Sequence, residues 1–263
     1  MVAGRSAVPA LSFAKLILFG YMGLGGSAAI NSYFDRDIDV IMSRTSRRAV
    51  PSGRLRASHA LLFGLSLLSL SVMMSFFLIN PLTASIIGAG SFLYVCLYTL
   101  YLKRKTPNSV LWGGLSGAIP ALGGWSVYSQ TDWLIPFLIF MFVFLWQPGH
   151  FWPLSIYYSD DYKAAGIPAI STLRDTGHIA LHALGYNILT VSITYTLYFV
   201  TRLSFIYIIM MSPINAYVIY RSITALKVRE KQFFLGSFRL SIAYMLIFLS
   251  SLIVSSLPML PHA

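Results

Sequence analysis

Asn31, Asp35 and Asp39 stand four residues apart in the stretch NSYFDRDID. On a helix that spacing sets an amide and two carboxylates along one face, drifting about 40° per step. Oxygen-bearing side chains stacked in this way repel one another unless a cation lies among them. Hard oxygen ligands with positions left over for water suit Mg²⁺ shared with a phosphate. Asp37 falls on another face and reads as solvated. Downstream the chain turns basic, with Arg44, Arg47, Arg48, Arg54 and Arg56 in SRTSRRAVPSGRLR. Guanidinium groups grip phosphate oxygens in pairs, so this run could supply the other half of an anion site. The plainer alternative is a helix end with solvated charges, and roughly half of these arginines fit it as an orienting basic loop. Asn31 and Asp35 fit it poorly, because they lie where the sequence is still apolar and helical and charge is costly.

A second acid pair, Asp160 and Asp161, follows another apolar run in SIYYSDDYKAAGIP. Adjacent residues sit about 100° apart on a helix, so these two do not share a face, and either one could complete a site. The alternative is a pair of solvated loop carboxylates, with Lys163 solvated beside them. His150 follows Pro148 and Gly149 inside an apolar stretch, where proline frees backbone groups and bends a helix. A neutral imidazole there is either a ligand to a metal-bearing substrate or a hydrogen-bonded packing residue. His178 and His182 are four apart, a spacing that could ligate metal, but no third ligand is in view and a structural role is favoured. His59 and His262 look peripheral. The glycine-rich WGGLSGAIPALGGW (Trp112–Trp125) lacks the strand–turn–helix context of a nucleotide loop. Its small residues let helices approach closely or leave room for a bulky ligand.

The elements that must carry these groups are membrane helices. Of 263 residues 57% are hydrophobic and 10% charged, against about 25% charged in a soluble domain. Mean hydropathy is +0.71. No polar segment is long enough to fold separately, so a single integral-membrane domain, 1–263, is expected. The lone Cys96 excludes a disulfide framework or a thiol metal site. The start of the chain reads as a retained membrane segment without a cleavage site. Spans of about 20 apolar residues are expected at Pro9–Ile30, Ala60–Ile79, Pro81–Leu102, Val110–Tyr128, Trp133–Ile156, His178–Val200, Leu203–Tyr220 and Phe238–Leu257. Tight turns at Asn80–Pro81 and Gln130–Asp132 alternate with longer polar loops. Lys15, inside the first span, snorkels or faces the bundle.

The net charge of +11 does not mark a nucleic-acid binder, because the cations sit in short loops between spans. Arg36 to Arg56, Lys103 to Lys105, Lys163 with Arg174, and Arg221 to Lys231 all follow odd-numbered spans. Little beyond Arg5 and Arg202 lies opposite. The positive-inside rule therefore makes those loops cytoplasmic and turns both termini outward. Every acid except Asp132 falls on the same side, so water-facing chemistry is expected at one surface.

The combination N-x-x-x-D-x-x-x-D followed by SRTSRRAVPSGRL resembles the first signature of the intramembrane UbiA-type prenyltransferases. Within them it is similar to the protohaem IX farnesyltransferases (haem O synthases). YTLYLKRKTPNSVLWGGLSGAIPALGGW (Tyr98–Trp125) and WQPGHFWPLSIYYSDDYKAAGIP (Trp146–Pro168) resemble two further segments of that family, and the likeness runs from the first span to about Pro168. Gly149, Ala49 and Ala121 stand where the family pattern has proline. The resemblance implies an all-α helical bundle of nine spans, of which eight are expected here, the leading one being absent. It implies farnesyl diphosphate and haem b as substrates in a lipid bilayer, with haem b not a resident cofactor. Mg²⁺ would be held by Asn31, Asp35 and Asp39, with Arg48, Lys103 and Arg104 on the remaining phosphate oxygens. Asp160 or Asp161 would hold a further Mg²⁺ or orient the diphosphate, and His150 would meet the haem by its iron or a propionate. The expected product is haem o, passed to a haem-handling partner, in the bacterial cytoplasmic membrane.

Two rival readings differ in class. Prenyl transfer to another aromatic acceptor, such as a quinone precursor, would use the same diphosphate site. A transporter would spread ionisable groups through the membrane depth, whereas here they cluster at one surface.

Overall fold

The computed structural model describes residues 9–128, 131–201 and 203–256, so Arg5, Gln130, Arg202 and His262 lie outside the described residues. The described chain is all-α. It runs α1 (Ala10–Phe34), α2 (Arg36–Ile41), α3 (Ala57–Leu78), α4 (Pro81–Phe92), α5 (Ser109–Ala118), α6 (Pro120–Tyr128), α7 (Leu134–Tyr157), α8 (Ser159–Ala164), α9 (Ile170–Leu173), α10 (Thr176–Thr201), α11 (Ile206–Ala225) and α12 (Lys231–Ser256). α4 continues without a break as a π-helix over Leu93–Leu102. Among the described residues seven helices are long and apolar enough to cross a membrane. The protein is an integral membrane protein.

Seven of the expected spans are single helices. The eighth, Val110–Tyr128, is two short helices meeting at Ile119–Pro120. Proline lacks the N–H that would continue the ladder and is tolerated as the first residue of a new helix. α12 starts at Lys231, earlier than the expected Phe238, and carries Arg239 as an exposed residue of its first turns. The Asn80–Pro81 turn caps α4, with Asn80 Oδ1 accepting from Thr83 N at 2.7 Å.

Two compact units emerge from the packing. One holds 9–128 and 158–173. Its spine is α1 against α3, brought backbone to backbone by glycines. A Cβ on Gly26 would lie 2.8 Å from Gly64 O, and one on Gly64 would lie 2.8 Å from Gly26 O. Small residues at such a crossing let helices approach where water cannot drive them together. The π-helical segment packs on α1 and α5. In the glycine-rich segment, Gly113 makes room for the Tyr98 ring, so that part serves helix packing.

The other unit comprises α7, α10, α11 and α12, a four-helix bundle. Its core stacks Phe142 on Phe248 and buries Leu197, Tyr207, Met211 and Tyr244. A polar chain crosses this core. Tyr244 OH donates to Asn215 Oδ1 at 2.7 Å, and Asn215 Nδ2 donates to Thr194 Oγ1 at 2.9 Å, joining α12, α11 and α10. With no water available, such groups must satisfy one another.

Candidate active site

The acid stripe forms at the end of α1. Asp35 interrupts the helix with φ −90° and ψ 2°, yet Asp35 N bonds Asn31 O and Asp39 N bonds Asp35 O, so α2 keeps the register. Asn31, Asp35 and Asp39 are only 5%, 1% and 1% exposed, brought onto one face as their spacing predicts. Asn31 Nδ2 donates to Asp35 Oδ2 at 2.7 Å and to Thr99 Oγ1 at 3.0 Å. Both amide hydrogens are thus used, and Asn31 Oδ1 accepts no hydrogen bond among the described residues.

The π-helical segment delivers the partners. Thr99 Oγ1 bonds Tyr94 O at 2.8 Å, and Lys103 N bonds Tyr98 O, each five residues back. A side chain inserted into the ladder in this way widens the turn, and such turns recur at functional sites. Lys103 Nζ reaches Asp35 Oδ2 at 2.5 Å, and Arg48 Nη1 reaches Asp39 Oδ2 at 2.8 Å. Two of the three cations named from sequence as phosphate ligands, Lys103 and Arg48, therefore rest on the two buried acids of the stripe. Arg104 lies elsewhere. It holds exposed Asp37 through two bonds of 2.7 Å and donates to Phe34 O. The Arg104 guanidinium keeps the Asp37 carboxyl down at about 2 and is itself raised by the same bond.

Asp35 Oδ1 is buried without a partner. An orphaned carboxylate oxygen normally marks a missing ion or water. Together with Asn31 Oδ1 it fits a hard divalent cation. Among the described residues no three His, Cys, Asp or Glu side chains close into a cage. The stripe is instead an open site of two carboxylates and one amide, the kind that leaves positions for water and phosphate.

Of the second acid pair, Asp161 Oδ2 accepts from Ser43 N at 2.9 Å and Ser43 Oγ at 2.5 Å. It anchors the loop 42–56, which carries Arg48. Asp160 is exposed on α8, as is Lys163. Thr99 and Ser43 were missed from sequence because a short polar side chain far along the chain carries no local spacing signal.

His150 lies in the other unit, on α7, where it is 9% exposed. Its Nδ1 is 2.7 Å from Ser241 Oγ on α12. The ring stacks on Trp146 and Phe238, with centroids at 4.2 and 4.6 Å, and Phe151 meets it edge-on. Gly149 is bare because the Asn187 side chain fills the space a Cβ would need, and Asn187 Nδ2 in turn donates to Ser222 Oγ at 2.8 Å. A cavity of about 40 Å³ beside Gly149, Asn187 and Ser241 holds water-sized guests, far below the roughly 300 Å³ or more that an organic ligand needs. His178 and His182 stack at 4.2 Å, and His182 Nδ1 bonds His178 O, a local helical contact consistent with the structural role.

The model of the UbiA prenyltransferase family matches residues 1–257. A protoheme IX farnesyltransferase of Gluconacetobacter diazotrophicus is 34% identical over 241 residues, covering 88% of this chain and 76% of that one. Among solved structures, a digeranylgeranylglyceryl phosphate synthase superposes with TM-score 0.81 at 20% identity, covering 98% of this chain and 90% of that one. A UbiA homologue from Archaeoglobus fulgidus, bound to DMAPP and Mg²⁺, superposes with TM-score 0.67 at 15% identity, covering 93% and 88%.

Proposed function

This chain belongs to the UbiA prenyltransferase family, and from that membership we propose that it transfers the farnesyl group of farnesyl diphosphate to a vinyl group of haem b. The observation that carries the diphosphate half is the buried stripe with its orphaned Asp35 oxygen. Asn31, Asp35 and Asp39 would hold Mg²⁺, which when bound neutralises charge on the leaving diphosphate. Lys103 and Arg48 exchange their carboxylate partners for phosphate oxygens when substrate enters, the electrostatic clamp that diphosphate departure needs. Arg104 joins them only by leaving Asp37. Asp161 works through Ser43, holding the Arg48 loop in place, and Asp160 stays at the water-facing end.

The chemistry then balances. The C1–O bond of the farnesyl diphosphate breaks and diphosphate departs. The allylic carbon bonds the terminal vinyl carbon of haem b. Water adds to the neighbouring carbon and releases a proton, giving the hydroxyethylfarnesyl group of haem o. An apolar surrounding keeps stray water from the allylic cation. The identity of the acceptor is supported by the farnesyltransferase relatives, together with His150 as a group able to meet haem. The site is read as cytoplasmic in a bacterial cytoplasmic membrane, with the product passing to a haem-handling partner.

The test is a detergent-solubilised chain mixed with haem b, farnesyl diphosphate and Mg²⁺, followed by chromatography for a more hydrophobic haem. Asp35→Ala should lower turnover about 10²–10³-fold with unfolding unchanged in cooperativity. Full activity in that variant would remove the stripe from the mechanism, and transfer to a quinone precursor in preference to haem would replace the acceptor.

A further inference from the structure

We propose that Ser241 fixes the tautomer of His150 and leaves Nε2 as the bare nitrogen that ligates the haem iron, which makes Ser241 a positioning residue for this substrate. The proposal rests on the haem reading above. It starts from a count of hydrogens. A serine hydroxyl carries one, and Ser241 Oγ lies 2.6 Å from Phe238 O. A carbonyl only accepts, so that hydrogen is committed. The 2.7 Å contact between the same Oγ and His150 Nδ1 is then a hydrogen bond only if Nδ1 is the donor. A neutral imidazole has a single N–H, so Nε2 keeps its lone pair.

No described residue takes that lone pair. A histidine that merely packs within a membrane bundle is expected to satisfy both nitrogens, since unpaired polar groups are expensive there. This one spends Nδ1 on a fixed acceptor and leaves Nε2 open, the arrangement by which histidine ligands are oriented and made more basic. The ring plane is set as well. Trp146 and Phe238 stack on it, and Trp146 Nε1 donates to Ser241 O at 3.0 Å, fastening the same turn of α12 to α7. Ring, acceptor and stacking partners all belong to two helices of one unit, so the arrangement needs no other part of the chain.

Histidine-selective ¹⁵N labelling of the full chain in detergent reads the two ring nitrogens directly, with His150→Gln assigning the signal. The expected result is a protonated Nδ1 and a bare Nε2 in the wild type, a mixture of tautomers in Ser241→Ala, and the wild-type pattern in Ser241→Thr. Ferric protoporphyrin IX is then titrated in and followed by its Soret band and electron paramagnetic resonance. Nitrogenous axial ligation should appear in the wild type and vanish in His150→Gln. Affinity should fall about 10–100-fold in Ser241→Ala and return in Ser241→Thr. A protonated Nε2 in the wild type overturns the proposal, and so does a haem spectrum unchanged in His150→Gln. Absence of any haem binding by the wild type instead removes the haem reading itself. Farnesyl transfer to another acceptor would still show in the product assay, so the two failures are distinguishable.

Discussion

Lys103 and Asp35 form an ion pair that neither can leave without stranding the other. The carboxylate is 1% exposed and the lysine side chain 14%, so little solvent screens them. Removing one member of a buried pair costs about 3–5 kcal/mol, because the remaining charge has no compensation. On the proposed reading the same pair would also be the obstacle to a divalent cation, which would have to compete with the ammonium for Asp35. Lys103→Met therefore has two expected effects of opposite sign. It lowers stability by about that amount, and it makes Mg²⁺ alone a stronger stabiliser than in the wild type, because a ligand of the folded state raises its stability in proportion to its affinity. Thermal unfolding in detergent with and without MgCl₂ reads both. An Mg²⁺ shift no larger in Lys103→Met than in the wild type would mean that the lysine does not guard a cation site.

At the scale of elements, the stripe depends on how closely α1 lies against α3. Gly64 sits where a Cβ would come within 2.8 Å of Gly26 O and of Ile30 Cγ1, one residue before Asn31. Gly64→Val has no room, and overpacking of this kind costs about 1–3 kcal/mol. The added methyls push α1 away and carry Asn31 and Asp35 off Thr99 and Lys103, so Mg²⁺ stabilisation should fall along with thermal stability. Gly88 on α4 has open space, with nothing within 4 Å of where a Cβ would stand, and supplies the control. If Gly88→Val is as damaging as Gly64→Val, the crossing does not set the site. Helix placement was legible in sequence because apolar length declares itself, and the stripe was legible because four-residue spacing is a helical period. The partners were not. The π-helical turn that delivers Thr99 and Lys103 has no distinct composition in LYVCLYTLYL, and the Ser43–Asp161 and Ser241–His150 contacts join residues far apart in the chain. The break at Pro120 was hidden by an apolar run that continues through it.

For the molecule as a whole, the arrangement of charge along the chain sets its orientation. The basic loops follow the odd-numbered spans, and the stripe with its cations stands at the first of them, so on the proposed reading one sign of charge would both orient the chain and furnish the substrate clamp. In the proposed reaction a hydrophilic diphosphate and its metal would reach the site from the side on which those loops lie, while the helices present apolar side chains such as Leu62, Phe77 and Phe199 outward, as a lipid surround demands. The single Cys96 makes orientation measurable. In a Cys96→Ser background, one new thiol is placed at Leu55, 40% exposed in the basic loop, and another in a separate variant at Thr131, exposed ahead of α7. A membrane-impermeant maleimide added to intact cells should label Thr131→Cys and spare Leu55→Cys, which becomes reactive only after permeabilisation. The reverse pattern would put the clamp on the outer surface, where the positive-inside rule disfavours so many arginines. The diphosphate site would then have to be reached from outside the cell, and the cytoplasmic placement of the site proposed above would fail with it.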